Sequence, residues 1–185
     1  LLGGSGADTL LGGSGDDTLV GGGGADFVDG GDGADVLELD GSVGVTAEGG
    51  DGTDTVQLVG STNVASLSGV ETVMGSDGSD SITINTNDIE TVTGGGGFDA
   101  VTLTDASGNT VDLDGVETVM GSDGSDTVRL VGETNEASLS GVETVIGSDG
   151  SDSITINTND IDSVTGGGGF DAVTLTDASG NTVDL

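Results

Sequence analysis

Aliphatic and polar residues alternate along most of the chain in runs of three to five. Each run begins at a fixed distance from an acid. Leu10, Leu19, Val28, Leu37, Val56, Ile82, Val101, Val128, Ile154 and Val173 each stand two positions after an aspartate. A second aliphatic follows two later at Leu58, Ile84, Leu103, Leu130, Ile156 and Leu175. A period of two is that of a strand with one face buried. The runs are too short for helices and are separated by glycine-rich turn signals, so the pattern predicts an all-β chain of short strands.

The turns repeat. Four tandem nonapeptides open the chain: GGSGADTLL from Gly3, GGSGDDTLV from Gly12, GGGGADFVD from Gly21 and GGDGADVLE from Gly30. Each reads G-G-x-G-x-D-x-U-x with U aliphatic. The first six residues form a turn and the last three a strand, so two units make a flattened coil of 18 residues. Consecutive coils then pair as parallel strands about 4.8 Å apart. Beyond residue 38 only the turn half persists, as GGDGTD at 49–54, GSDGSD at 75–80, GGGGFD at 94–99, GSDGSD at 121–126 and 147–152, and GGGGFD at 166–171. From Gly30 the turns start 19, 26, 19, 27, 26 and 19 residues apart. Residues 54–113 match residues 126–185 at 54 of 60 positions, an offset of 72.

This predicts a regular nonapeptide β-roll over 1–38 and a continuous asymmetric β-solenoid over 39–185. The second part is built of 72-residue three-coil cassettes, 49–120 and a truncated 121–185. We expect a single column of turns from Gly30 onward, and a wider cross-section with a third strand in the 26- and 27-residue intervals. In a further register, VETVM, IETVT, VETVM, VETVI and IDSVT place Glu71, Glu90, Glu117, Glu143 and Asp162 in an outward ladder. It reads as a solvated face, or as a weak second cation stripe.

The nonapeptides resemble the calcium-binding repeat of the RTX, or hemolysin-type, family. The resemblance implies a right-handed parallel β-roll or β-solenoid with stacked Gly/Asp-rich turns and calcium between them. Each ion would take carboxylate oxygens from Asp8, Asp17, Asp26, Asp35, Asp54, Asp80, Asp99, Asp126, Asp152 and Asp171. It would take backbone carbonyls from Gly3, Gly4 and Gly6, from Gly12, Gly13 and Gly15, from Gly21, Gly22 and Gly24, and from Gly30, Gly31 and Gly33. The later turns would supply Gly49, Gly50 and Gly52, Gly75 and Gly78, Gly94, Gly95 and Gly97, Gly121 and Gly124, Gly147 and Gly150, and Gly166, Gly167 and Gly169. The chemistry suits the ion, a hard cation that takes six to eight oxygens. Glycine supplies the positive φ angles that turn successive carbonyls toward one point. One gap between Asp8 and Asp26 and seven along a single column give about eight sites. Ser76, Ser122 and Ser148 stand where the second glycine is expected, which points to weaker sites there.

Charge strengthens the reading. Thirty-four acids face one base, Arg129, for a net charge of −33. Self-repulsion opposes any compact state until cations arrive, and eight divalent ions would bring −33 to −17. Such acidity with few aromatics also fits disorder, but the regular repeats argue against it. A single arginine builds no basic patch, which removes nucleic acid as a partner. No apolar run approaches the ~20 residues that span a bilayer, so no membrane insertion is expected. The chain has no histidine and no cysteine, hence no Ser-His-Asp triad, no HExxH zinc helix, no thiol nucleophile and no disulfide. It is not expected to be an enzyme.

Three functions remain in view. The first is a calcium-dependent structural module of a secreted bacterial protein at the cell surface or in the extracellular matrix, such as an adhesin, surface layer, sheath or filament. Type I export of the unfolded chain is implied by the resemblance. The second is a calcium-folding and secretion module of a toxin or hydrolase, and the third an ice- or polysaccharide-binding threonine face. The chain starts at Leu1 without methionine and stops within a repeat, so we expect further coils beyond it, or self-association end to end or laterally.

Overall fold

The computed structural model describes residues 1–158 and 161–176, and the backbone of 183–184. The described residues form 21 short strands and no helix, as the alternating pattern predicts. All pairings are parallel, and the strands fall into two sheets by alternation along the chain. The first, 11-stranded sheet holds β1 (Leu2–Ser5), β3 (Thr18–Gly23), β5 (Val36–Asp40), β7 (Thr55–Val59), β9 (Thr72–Met74), β11 (Thr91–Thr93), β13 (Thr110–Asp114), β15 (Thr127–Leu130), β17 (Thr144–Ile146), β19 (Ser163–Thr165) and β21 (Val183–Asp184). The second, 10-stranded sheet holds β2 (Thr9–Ser14), β4 (Phe27–Asp32), β6 (Val45–Asp51), β8 (Val64–Ser68), β10 (Ser81–Ile84), β12 (Ala100–Leu103), β14 (Thr118–Met120), β16 (Glu136–Ser140), β18 (Ser153–Ile156) and β20 (Ala172–Leu175). Each coil is therefore one strand from each sheet joined by two corners, and the described residues form a parallel β-solenoid throughout.

The core is the thin space between the sheets. In the first sheet Leu19, Leu37, Val56, Val73, Val92 and Leu113 stand in register on successive strands, all buried. Facing them, Leu10, Val28, Ala47, Leu67, Ile84 and Leu103 do the same. With no tryptophan or tyrosine, aliphatic ladders supply the buried apolar area, each full burial contributing roughly 1.5–3 kcal/mol before the entropy of ordering.

Two architectural expectations need correction. The complete 72-residue unit contributes eight strands, β7 to β14, and hence four coils averaging 18 residues instead of three wider ones. The 26- and 27-residue intervals are one and a half coils of the same two-strand section. A half-coil moves the next glycine turn to the opposite edge, so there is no single column. The turns at 3–8, 21–26, 75–80, 94–99, 147–152 and 166–171 lead from the first sheet to the second. Those at 12–17, 30–35, 49–54 and 121–126 lead back.

Candidate metal centres

In the glycine-pair turns the second and fourth residues are left-handed. Gly4, Gly13, Gly22, Gly31, Gly50, Gly95 and Gly167 have φ between 88° and 114°, and the fourth-position glycines lie between 98° and 146°. Only glycine adopts these angles without steric cost. The turn carries the aspartate back over its own first glycine. A Cβ built on Gly30 would lie 2.3 Å from Asp35 Oδ2, and one on Gly94 would lie 2.6 Å from Asp99 Oδ2.

The two carboxylate oxygens have different fates. Oδ1 points along the stack and accepts the backbone N–H of the equivalent residue one coil earlier. Asp8 donates to Asp26 Oδ1 at 3.0 Å, Asp17 to Asp35 at 2.7 Å, Asp35 to Asp54 at 2.8 Å and Asp80 to Asp99 at 2.7 Å. Oδ2 points into the turn. In Asp8, Asp26, Asp35, Asp54 and Asp99 it is buried without any hydrogen-bond partner. An unpaired buried polar atom costs about 1–3 kcal/mol, more when charged. Burial accordingly pushes the Asp99 carboxyl up to about 6, with Asp80 and Glu117 adding repulsion, and raises Asp54 as well.

A hard cation fits this donor set. Among the described residues no three acids converge on one point, so an ion held by Oδ2 would draw its remaining ligands from the turn carbonyls and water. That is an ordinary composition for calcium. Pairs of adjacent aspartate turns, the arrangement the resemblance implies for an ion, number five among the described residues. Turns 3–8 and 21–26 stack on one edge, 12–17 on 30–35 and 30–35 on 49–54 on the other. Turns 75–80 and 94–99 stack, as do 147–152 and 166–171. The Asp126 turn has no such neighbour, since 105–109 and 141–143 flank it. The expected row from Asp17 through Asp171 is thus split between two edges and its gaps fall from seven to four, which with the Asp8–Asp26 gap makes five in place of eight.

The expected acidic ladder also breaks up. Glu117 lies on the opposite edge from Glu71, Glu90 and Glu143. Glu71, Glu117 and Glu143 are half-buried, and each accepts the N–H of an aspartate one coil earlier: Asp54 at 2.6 Å, Asp99 at 2.6 Å and Asp126 at 2.7 Å. Each sits in a compact Gly-Val-Glu corner whose glycine, Gly69, Gly115 or Gly141, has φ of 55° to 62°. These corners close a column of aspartate turns. Glu90 and Asp162 are exposed.

The serine turns differ from the glycine-pair turns in backbone and in bonding. Ser76, Ser122 and Ser148 have negative φ, and Gly78, Gly124 and Gly150 are absent from the left-handed region. Ser76 N–H donates to Asp80 Oδ2 at 2.7 Å and its hydroxyl lies 3.1 Å from both carboxylate oxygens. Ser148 binds Asp152 in the same way, while Ser122 gives its N–H to Asp126 Oδ2 at 2.6 Å and places its hydroxyl 3.0 Å from that oxygen and 2.7 Å from the Asp105 carbonyl oxygen. On the other side Asn63 gives its backbone N–H and its Nδ2 to Asp80 Oδ1 at 2.8 and 2.7 Å. Asn109 and Asn135 do so for Asp126 and Asp152. These asparagines were not among the residues singled out from sequence. Their signal was present, since each stands 17 residues, nearly one coil, before its aspartate.

Residues 2–37 and 139–155 match the family model of the RTX calcium-binding nonapeptide repeat, in four copies. No curated protein and no solved structure matches the chain.

Proposed function

The chain carries RTX calcium-binding nonapeptide repeats wound into a two-sheet β-solenoid, and from that premise we propose that it is a calcium-dependent structural module of a secreted bacterial protein. The carrying observation is the set of five buried, partnerless Oδ2 atoms in glycine-pair turns. With −33 net charge, the ordered state is held back until cations neutralise those oxygens, so metal binding and folding are linked. At a free calcium one hundredfold above Kd, each site adds about 2.7 kcal/mol to the folded state. Calcium, when bound, would supply the positive charge that neutralises the turn carboxylates. The aspartates position its carboxylate ligands, and the left-handed glycines aim the carbonyls.

RTX repeats are typical of secreted bacterial proteins. Low cytosolic calcium would leave the chain extended enough for export, type I export being the route the repeat resemblance implies, and millimolar calcium outside would order it. The near-identical copies at 54–113 and 126–185 favour a long extracellular scaffold, as in an adhesin, surface layer, sheath or filament. β1 and β2 are the terminal strands of their sheets and offer edge backbone, which fits end-to-end stacking on a second copy.

The test is a calcium titration followed by circular dichroism. Strand signal should grow with calcium and saturate in the millimolar range. Identical spectra in excess chelator and in millimolar calcium would rule the proposal out.

A further inference from the structure

We propose that the serine turns at 75–80, 121–126 and 147–152 are metal-free clasps, so that the solenoid from about residue 105 to residue 156 is ordered without calcium while residues 3–54 require it. This rests on the calcium reading above and divides the chain beneath it.

Two independent features carry the inference. The first is the backbone. A glycine-pair turn gathers carbonyls by two left-handed residues, and the serine turns have neither of them. The second is the bonding of the acid. Asp80 and Asp152 each receive an asparagine N–H, an asparagine Nδ2–H, a serine N–H and a serine O–H within 3.1 Å, and Asp126 receives the first three, the Ser122 hydroxyl lying 3.0 Å from its Oδ2 and 2.7 Å from the Asp105 carbonyl oxygen. Three or four neutral donors spread the carboxylate charge as a cation would, and both oxygens of each acid have a partner. None of these three acids has an orphaned oxygen, whereas Asp8, Asp26, Asp35, Asp54 and Asp99 do.

The placement of the clasps sets the boundary. Between Asp99 and Asp171 one edge carries Glu117, Asn135 and Asp152, and the other carries Asn109, Asp126 and Glu143. Among the described residues there, the links at these acids and asparagines are hydrogen bonds between chain groups. Residues 3–54, by contrast, hold five consecutive glycine-pair turns, four of them with an orphaned carboxylate oxygen. The five gaps thus separate into three between glycine-pair turns and two in which one turn is a serine clasp. The 147–152 turn lies in a segment that matches the RTX repeat, so sequence similarity does not reveal the difference.

Hydrogen exchange on the 185-residue chain tests this. In excess chelator the amides of Thr127–Leu130 and Ser153–Ile156 should keep protection within about tenfold of the calcium-loaded state, and those of Thr18–Gly23 and Phe27–Asp32 should lose a hundredfold or more. Joint loss in both regions overturns the clasp. Protection kept in both regions overturns the calcium reading and leaves the clasp standing. Variants give a second readout by calcium stoichiometry. Ser76→Gly with Ser148→Gly should raise the tight sites from about three to about five, because each restored turn already faces a glycine-pair turn. Ser122→Gly should add none, since no glycine-pair turn adjoins it. Unchanged stoichiometry in the double variant, measured on chain refolded in calcium, overturns the proposal.

Discussion

The backbone N–H of Asp54 donates to Glu71 Oε2 at 2.6 Å, so a glutamate on a three-residue corner takes the place that another aspartate turn holds one coil earlier. The column Asp17, Asp35, Asp54 ends there, and the longer side chain spans the gap left by the shorter corner.

Replacing that acceptor should be costly. Glu71→Ala leaves the Asp54 N–H unpaired in a half-buried corner, and we expect a loss of about 1–3 kcal/mol by denaturant unfolding in calcium. Glu71→Gln retains an acceptor oxygen and should lose less than half as much. Equal losses for the two would show that charge, and not the hydrogen bond, is what Glu71 contributes.

Glycine substitutions should separate crowding from backbone strain. Gly4 and Gly50 have similar angles, φ of 110° and 114°, but a Cβ on Gly4 meets nothing within 4 Å while one on Gly50 would lie 2.0 Å from the Gly31 carbonyl oxygen. Gly4→Ala pays only the left-handed penalty of about 1–2 kcal/mol. Gly50→Ala must also push adjacent coils apart, and its melting temperature in calcium should fall well below that of Gly4→Ala. Matching melting temperatures would contradict the close stacking of turns 30–35 and 49–54.

The core ladder predicts a local cavity cost. Leu37 is fully buried between Leu19 and Val56 in register, and Leu37→Ala should destabilise by about 2–5 kcal/mol. In a solenoid each coil contacts only its neighbours. Exchange should therefore accelerate around Thr18–Gly23 and Thr55–Val59 and stay unchanged at Ser153–Ile156. Uniform acceleration along the chain would indicate a single cooperative unit instead.

Acid should partly replace calcium. Burial, together with Asp80 and Glu117, raises Asp99 to about 6 from an unfolded value of 3.8, and burial raises Asp54 and Glu71 above their ordinary values. The folded state therefore binds these protons more tightly than the unfolded one. Its proton-linked stability is full below about pH 4 and is lost as pH rises through 6. In calcium-depleted buffer, melting temperature should rise as pH falls from about 7 to about 4.5. A melting temperature that falls over that range would sink the assignment.

Arg129, the one base, pairs with Asp112 across β15 and β13 with its side chain half exposed. Exposed pairs contribute little. Arg129→Gln should leave the melting temperature in calcium unchanged, and a marked drop would mean that the pair organises more of the charge on that sheet than its exposure implies.

The alternation after each aspartate was enough to place ten of the 21 strands, their inward residues and the turn acids, because a strand's period and a turn's φ requirements are local properties. Val56, Ile82 and Val128 are buried where that alternation puts them. The identity of each turn's neighbour is a different kind of fact. It depends on how many residues every intervening corner uses, and the three-residue Gly-Val-Glu corners at 69–71, 115–117 and 141–143 look in sequence like ordinary strand ends. A half-coil added in each 26- or 27-residue interval carries the next turn to the other edge. Only the assembled coils therefore decide that Asp35 faces Asp54, that Asp126 faces Asn109 and Glu143, and that Asn63 completes Asp80. By itself the sequence determined which residues turn, which point inward and which acids stand in the turns. The tertiary structure decided which carboxylates already have all their hydrogen bonds and which still lack a partner, because a donor one coil away is distant along the chain and close only once the sheets have stacked.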